Sequence, residues 1–287
     1  MRKRNEDFNM LPIAEDYFQN IFAEIPGMKG LLLDKETSGI ISIVYTQSKL
    51  YKNDIYLIQK IDDSTEKLTH LKAVYFVRPT PQNIELIVKE LKDPRFQEYY
   101  LFFTNEISSR SIDEIAMADS YDKVKGLQEV YLDYFALGRN IFSLNIPSSV
   151  GLSRRQEYWD DSDKNALNRM SEGLISAVMS LRLMPQIRYL NGSASCAHIA
   201  NKLAKKMEIE LAEKQSDYLL DQRAIVLITE RKEDVVTPLL TPWTYLAMLH
   251  EFIGVFNNKV DIVSKQRAFL SQGEETKSLS LKEKEER

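Results

Sequence analysis

The chain has 287 residues, which is enough for one large domain or for two of ordinary size. Hydrophobic residues make up 44% of the chain and aromatic residues 10%, so it can build a substantial core and lacks the composition of a disordered chain. A net charge of -4 and a pI of about 5.6 provide no basic excess to neutralise phosphates, which excludes a typical nucleic-acid-binding protein.

The first residues of the chain, 1–7, are basic but are not followed by the apolar stretch of a secretory signal. No part of the sequence approaches the ~18–20 consecutive apolar residues that span a bilayer. The only cysteine, Cys196, makes no internal disulfide and no four-thiolate metal site, which fits a reducing compartment. The sequence therefore predicts a cytoplasmic chain.

Short apolar runs in the first half of the chain predict the strands of a sheet. Continuous runs such as 30–34 are typical of strands that are buried on both faces of a parallel sheet. The predicted strands are 30–34, 40–45, 54–58, 73–77, 99–104 and 141–145.

Helical patterns separate these strands. Apolar residues at spacings of three and four from Leu11 to Ile25 predict a first helix that ends at Pro26. Thr80 followed by Pro81 is typical of an N-cap and the first position of a helix. Two short helical patterns follow, around 112–117 and 124–131. This alternation predicts an α/β fold with a doubly wound, mostly parallel sheet.

A segment richer in Ser, Gly and Pro, 147–156, predicts a boundary between a first domain, 1–146, and a second domain, 147–262. Residues 263–287 are mostly polar and predict a disordered tail. The second domain is predicted to contain a long helix around 167–181, a helix around 196–207, a buried strand at 224–229 and a helix that begins at Thr241-Pro242 and ends near Gly254.

Sequence motifs for catalysis or cofactor binding are missing. The sequence has no glycine-rich phosphate loop, no GxSxG nucleophile elbow and no HExxH metal motif. His70, His198 and His250 lie far apart, so surface or packing roles are favoured over a metal site. Cys196 lies on the apolar stripe of its helix, which favours a packed, unreactive thiol. No cofactor and no metal are expected.

Two acidic positions leave an α/β enzyme open as the less favoured alternative. Asp34 ends the first strand at the edge where open α/β sheets place ligands, although it also fits the cap of a turn. Glu230 follows the strand in the second domain and opens the loop 229–245. In that loop, an ion pair between Arg231 and Asp234 is predicted to give a structural role.

Several motifs together resemble the SM (Sec/Munc-like) family of syntaxin-binding proteins. In the first domain they are 28–37 (MKGLLLDKET), 45–48 (YTQS), 78–80 (RPT) and 142–145 (FSLN). In the second domain they are 185–189 (PQIRY), 237–239 (TPL) and 243–245 (WTY). Their order and spacing match the family from about residue 28 to residue 263. One departure is Glu230, where the family usually has Asp and where the charge is retained.

The resemblance implies a protein that is not an enzyme and that binds a syntaxin-type SNARE. Such a protein regulates SNARE assembly in vesicle docking and fusion, here in transport between the trans-Golgi and endosomes. It implies a chain in the cytoplasm, attached to Golgi and endosomal membranes only peripherally through its partner, with no nucleic acid and no small-molecule substrate.

The chain departs from the family in length, because family members are considerably longer and carry a helical third domain inserted into the second. The second α/β domain is therefore expected to be incomplete, with apolar edges and faces left uncovered. A shortened form that binds the syntaxin N-terminal peptide but does not template SNARE assembly remains an alternative.

The resemblance places the syntaxin N-terminal peptide in an outer pocket of the first domain, on the two short helical patterns. Ile112, Ile115, Val124 and Leu127 are predicted to form the apolar lining, and Glu129 a polar contact at the rim. The same apolar residues also fit the inner faces of two amphipathic helices, so an ordinary core role is the alternative.

Overall fold

The computed structural model describes residues 9–63, 66–146, 152, 154–213, 224–255 and 260. The chain divides into two compact units, 1–232 and 233–287. The strands are β1 Lys29–Leu33, β2 Ile55–Lys60, β3 Leu68–Val77, β4 Phe96–Phe103, β5 Val124–Glu129, β6 Phe135–Ala136, β7 Phe142–Ser143, β8 Gln186–Tyr189 and β9 Ile225–Ile228. The α-helices are α1 Met10–Glu24, α2 Lys35–Val44, α3 Gln47–Lys52, α4 Pro81–Lys92, α5 Ser109–Ala118, α6 Asp161–Ser180, α7 Ala194–Glu213 and α8 Tyr245–Met248.

The central feature of the first unit is a five-stranded parallel sheet with the strand order β2-β1-β3-β4-β5. Alternate residues of its central strands enter two cores. Leu31 and Phe76 pack with buried side chains of α1 and α2, whereas Leu32 and Tyr75 pack with α4 and α5. Helices therefore cover both faces, and the predicted doubly wound α/β fold is confirmed. None of the helices in the described part of the chain is both long enough and apolar enough to cross a membrane.

The prediction of a strand at 40–45 is wrong, because these residues form the second half of α2. The reason lies at the start of the helix, where Asp34 is the N-cap. Its Oδ1 accepts hydrogen bonds from the backbone N–H groups of Glu36 at 2.9 Å and Thr37 at 2.8 Å. The Thr37 hydroxyl in turn accepts from the Asp34 N–H, which completes a capping box. This cap sets the helix, and its isoleucines then face the core.

The prediction of a short helix at 124–131 is also wrong, because residues 124–129 form strand β5 at the edge of the sheet. Asp119 at the end of α5 accepts hydrogen bonds from the N–H groups of Lys123 and Val124, both at 2.9 Å. These bonds turn the chain directly into β5. The strand predicted at 141–145 shrinks to β7, which pairs antiparallel with β6 in a separate small sheet.

The two long helices predicted after the boundary are confirmed as α6 and α7, and the strand after them is confirmed as β9. Strands β8 and β9 pair in parallel in a two-stranded sheet. The prediction that β9 is buried is wrong for one face, because Ile225 and Leu227 are 67% and 69% exposed. The incompleteness of a second α/β domain stays a prediction.

The helix predicted from Pro242 begins later, with α8, and continues as the π-helical turn Leu249–Ile253. It ends as predicted at Gly254, which has a φ of 84° that glycine adopts without strain. The polar tail 263–287 and most of the boundary segment 147–156 lie outside the described residues. The division into domains at 146/147 stays a prediction.

A buried ion cluster joins the sheet to α6. The Asp133 carboxylate has no solvent exposure and lies 3.1 Å from Nε of Arg78 and 3.0 Å from Nη1 of Arg169. Glu36 and Glu172 complete the cluster, since both pair with Arg78, at 3.2 Å and 2.8 Å. Burial raises the pKa of Asp133 to about 6, against the opposing effect of the two arginines. Three carboxylates therefore share two guanidinium groups at this junction.

Replacing Asp34 by alanine tests the role of its carboxylate at the sheet edge. Besides capping α2, its Oδ2 accepts from the N–H of Arg78 at 2.7 Å and from Nδ2 of Asn83 at 2.8 Å. We expect Asp34→Ala to lower the free energy of unfolding by about 3 kcal/mol, as measured by urea denaturation. Ser108→Ala is the matched control, because Ser108 caps only α5, and we expect it to cost about 1 kcal/mol. Equal losses would show that the second oxygen of Asp34 contributes nothing.

Replacing Arg169 by methionine tests the ion cluster. The variant leaves the buried Asp133 carboxylate with one guanidinium partner instead of two, so we expect a loss of about 3–5 kcal/mol in the free energy of unfolding. Lys67→Met is the control, since Lys67 and Asp93 form an exposed pair, and its expected effect is within about 0.5 kcal/mol. A comparable small loss in both variants in urea denaturation would contradict the stabilising role of the cluster.

Candidate partner-binding site

The carboxyl edge of the sheet contains a shallow cleft of about 370 Å³ beside Asp34, Lys60 and Arg78. Asp34 uses both carboxylate oxygens as acceptors, for α2, for the N–H of Arg78 directly after β3, and for Asn83 of α4. Arg78 also belongs to the ion cluster. Within the described residues, no group of three or more His, Cys, Asp and Glu side chains is placed to hold a metal ion. The contacts of Asp34 are structural.

Glu230, the other acidic residue of the enzyme alternative, lies at the end of β9. Its carboxylate accepts from the hydroxyls of Ser193 and Ser195 and pairs with Lys232. Burial acts to raise the pKa of Glu230, but Lys232 and the two hydroxyls outweigh it, and the pKa is lowered. Ser193 also accepts from the N–H of Cys196. Glu230 therefore ties the end of β9 to the start of α7.

Cys196 is 2% exposed, which confirms the packed thiol, whereas His70 and His250 are exposed. In the loop after β9, Oδ1 of Asp234 accepts from the N–H of Thr237 at 3.0 Å. The ion pair between Arg231 and Asp234 stays a prediction.

The residues predicted for the peptide pocket lie on α5 and on the neighbouring edge strand β5. Ile115 is 3% exposed and belongs to the core on that face of the sheet, and Val124 and Leu127 pack against the same core with partly buried side chains. Ile112 is 38% exposed. The structure thus places Ile115, Val124 and Leu127 in one apolar layer of the core and Ile112 at the surface of α5.

Glu129, at the end of β5, faces the loop before α5. Its Oε1 accepts a hydrogen bond from the N–H of Ile107 at 2.8 Å. Burial raises the pKa of Glu129, and the neighbouring Glu106 raises it further, while the bond from Ile107 lowers it. With the bonds of Asp119 at the other end of α5, this contact fixes helix and strand to each other at both ends.

The loop 104–108, between β4 and α5, carries contacts that sequence reasoning missed. Nδ2 of Asn105 donates to the backbone oxygen of Glu172 in α6 at 3.0 Å. Glu106 forms an ion pair of 2.7 Å with Lys206 in α7. These partners lie 67 and 100 residues away in the chain, and no local pattern in the sequence marks them.

Comparisons with known proteins were consistent in sequence and in structure. The chain matches the Sec1 family over residues 29–286. It is 40% identical over 257 residues to vacuolar protein sorting-associated protein 45 of Dictyostelium discoideum, covering 90% of this chain and 44% of that protein. It is 40% identical over 240 residues to the human protein of the same name, covering 83% of this chain and 40% of that protein. The chain thus spans less than half the length of these curated relatives.

Two solved structures extend the likeness to the fold. The SM protein Vps45 in complex with the Qa SNARE Tlg2 superposes with a TM-score of 0.81 at 34% identity, covering 89% of this chain and 46% of that one. Sly1p in complex with an N-terminal peptide of Sed5p superposes with a TM-score of 0.74 at 26% identity, covering 88% and 46%.

The raised pKa of Glu129 predicts how the stability of the fold depends on pH. A carboxyl whose pKa is raised in the folded state stabilises the fold at low pH. This contribution is lost as the pH rises through the folded-state pKa, which for Glu129 lies above the ordinary value of 4.5. Glu129→Gln keeps an acceptor oxygen for Ile107 and does not titrate. We therefore expect its stability relative to wild type to increase from about pH 4 to about pH 7 in urea denaturation.

The control for this pH dependence is Glu85→Gln, because Glu85 is an exposed residue of α4. Replacing this exposed side chain should change the stability by no more than about 0.5 kcal/mol. A difference between Glu129→Gln and wild type that is independent of pH would show that burial does not disfavour the ionised carboxyl.

Proposed function

Since this chain belongs to the Sec1 family, we propose that it binds a syntaxin-type SNARE protein and regulates SNARE assembly in vesicle docking and fusion. Proteins of this family bind SNAREs and are not enzymes, and the resemblance drawn from the sequence motifs is confirmed. The proposal includes transport between the trans-Golgi and endosomes, with peripheral membrane association through the partner.

The α5–β5 face, defined as α5, β5 and the side chains that pack between them, is the site we propose for the N-terminal peptide of the syntaxin. The observation that carries this proposal is the exposed Ile112 on a helix that is fixed to the edge strand at both ends. The solved complex of Sly1p with an N-terminal peptide of Sed5p supports it, because that chain has the same fold over 88% of this one.

Each predicted pocket residue then has a distinct role. Ile112 contacts the peptide directly, since more than a third of its side chain is exposed. Ile115, Val124 and Leu127 form the apolar layer beneath and keep α5 against the sheet. Glu129 orients the loop before α5 through Ile107. The earlier prediction that Glu129 contacts the peptide at the rim remains part of the proposal.

Apolar contact alone gives such a site little affinity. Burying one apolar anchor contributes ~1.5–3 kcal/mol, and association costs several kcal/mol in lost translational and rotational freedom. Micromolar binding corresponds to about -8 kcal/mol. Backbone hydrogen bonds and charge contacts from the peptide must therefore supply a large part of the binding free energy, and they also supply its specificity.

Replacing Ile112 by arginine tests the face directly. The full chain would be titrated into fluorescently labelled N-terminal peptides of several syntaxin-type SNAREs, including those of Tlg2 and Sed5p, and binding measured by fluorescence anisotropy. We expect selective binding of one peptide by the wild type. Ile112→Arg should weaken it at least about tenfold, because an apolar contact is lost and a charge is desolvated at the interface.

The matched control is Ile58→Arg, on the opposite edge strand β2, where the isoleucine is 42% exposed. This variant should bind the peptide as tightly as wild type, and circular dichroism of both variants should show an unchanged fold. Equal affinities for Ile112→Arg and Ile58→Arg would place the peptide elsewhere. No binding by a folded wild-type chain would sink the proposed function.

A further inference from the structure

A second polar cluster lies at the junction of α7 with the loop 104–108. Nζ of Lys206 is 2.7 Å from Oε2 of Glu106 and 3.2 Å from Oε1 of Glu210, and it lies 5.8 Å from the ring centroid of Tyr131. The Tyr131 hydroxyl donates to the same oxygen of Glu210 at 3.3 Å. The Lys206 side chain is 10% exposed, so its ammonium group is bound in one place by groups from three segments of the chain.

The carboxylates of Glu106, Glu210 and the nearby Glu129 face the cation of Lys206. Burial acts to lower the pKa of Lys206, but Glu106 and Tyr131 outweigh it and the pKa is raised, so the lysine stays charged. Without this cation Glu106 would lose its ion-pair partner, and the three partly buried carboxylates would lose the attraction of Lys206, which is unfavourable.

Glu106 is where this cluster meets the proposed peptide site. The residue after it, Ile107, donates its N–H to Glu129, and Ser108 then caps α5. The residue before it, Asn105, is held by α6. Consecutive residues of this loop are therefore fixed by α6, α7 and β5, and α5 begins directly after them. Ile112 lies one turn into that helix, so a shift of the loop moves it.

We propose that Lys206 of α7 is a positioning residue for the α5–β5 face, because its ion pair with Glu106 fixes the start of α5 and thereby sets the affinity of that face for a syntaxin N-terminal peptide. This inference rests on the proposed function. It makes α7, which lies outside the peptide site, a determinant of binding. Any partner that displaces Lys206 from Glu106 would weaken the peptide site.

The test measures peptide binding by the full chain with the peptide that the wild type selects from the panel above. Lys206→Met removes the cation and keeps most of the side-chain stem. Glu106→Gln removes the same ion pair from an exposed position, where the Glu106 side chain is 58% exposed and a folding defect is not expected. Each variant should weaken binding about 3- to 30-fold. The double variant should bind no more weakly than the weaker-binding single variant, because each single variant already removes the ion pair between Glu106 and Lys206.

The control is Lys202→Met, one turn earlier on α7, where the lysine contacts Asn168 of α6 at 2.6 Å and not the loop. Its affinity should equal that of wild type. The pH dependence of peptide affinity distinguishes a positioning role of Lys206 from a general loss of structure. In Lys206→Met the carboxyl of Glu129 loses the nearby cation, so its pKa should rise further. A protonated carboxyl is a poorer acceptor for the N–H of Ile107, so peptide affinity should fall more steeply toward acidic pH than in wild type.

The outcomes separate this inference from the proposed function. Wild-type binding that Lys206→Met and Glu106→Gln both leave unchanged would overturn the positioning role and leave the proposed function standing. If the wild type binds no peptide, the proposed function fails, and amide hydrogen exchange over 104–118 tests the positioning role alone. Faster exchange in Lys206→Met than in Lys202→Met would then support that role, and equal exchange would overturn it.

Discussion

The carboxylate of Asp133 is removed from water completely, and this sets the arrangement of the first unit. A buried charge is tolerated only with close, hydrogen-bonded partners. Its partners are Arg78, which follows β3, and Arg169 in the middle of α6. Helix α6 must therefore lie across the carboxyl edge of the sheet. In that position it presents the backbone oxygen of Glu172 to the loop before α5. One buried carboxylate thus connects the centre of the sheet with the face that we propose for peptide binding.

The carboxyl edge of the sheet, where this fold usually holds ligands, is occupied here by contacts within the chain. In a doubly wound parallel sheet the strand ends converge and leave polar groups free for a ligand. Here those groups bind one another, since Asp34 caps α2 and also accepts from Arg78 and Asn83. Exposed apolar side chains lie elsewhere on the chain, and one of them is Ile112 on α5, next in sequence to the edge strand β5. This is the face that we propose for the syntaxin peptide.

Sequence periodicity predicted the fold because the central strands are buried on both faces and α1 has a regular apolar stripe. It failed for α2 and β5, where short segments have ambiguous periods and a single aspartate decides the outcome. Asp34 starts a helix in a stretch rich in isoleucine, and Asp119 directs the chain from α5 into a strand. The site residues that the family resemblance indicated lie on α5 and β5, although β5 was predicted as a helix. The ion pair of Lys206 with Glu106 could not be predicted from the sequence, because its partners are 100 residues apart and leave no local pattern.

The α5–β5 face that we propose for the peptide has a problem of rigidity, because it is built on an edge strand. Strand β5 has a neighbour on one side only, and α5 is ten residues long, so neither is rigid by itself. The chain meets this problem by tying the loop 104–108 to elements that are much longer. Helices α6 and α7 have 20 residues each and pack against each other. The stiffness of the proposed peptide face is then supplied from the second half of the chain, through Asn105 and through the pair of Glu106 with Lys206. On this proposal, the affinity for the peptide depends on how well residues 161–213 are folded, even if none of them touches the peptide.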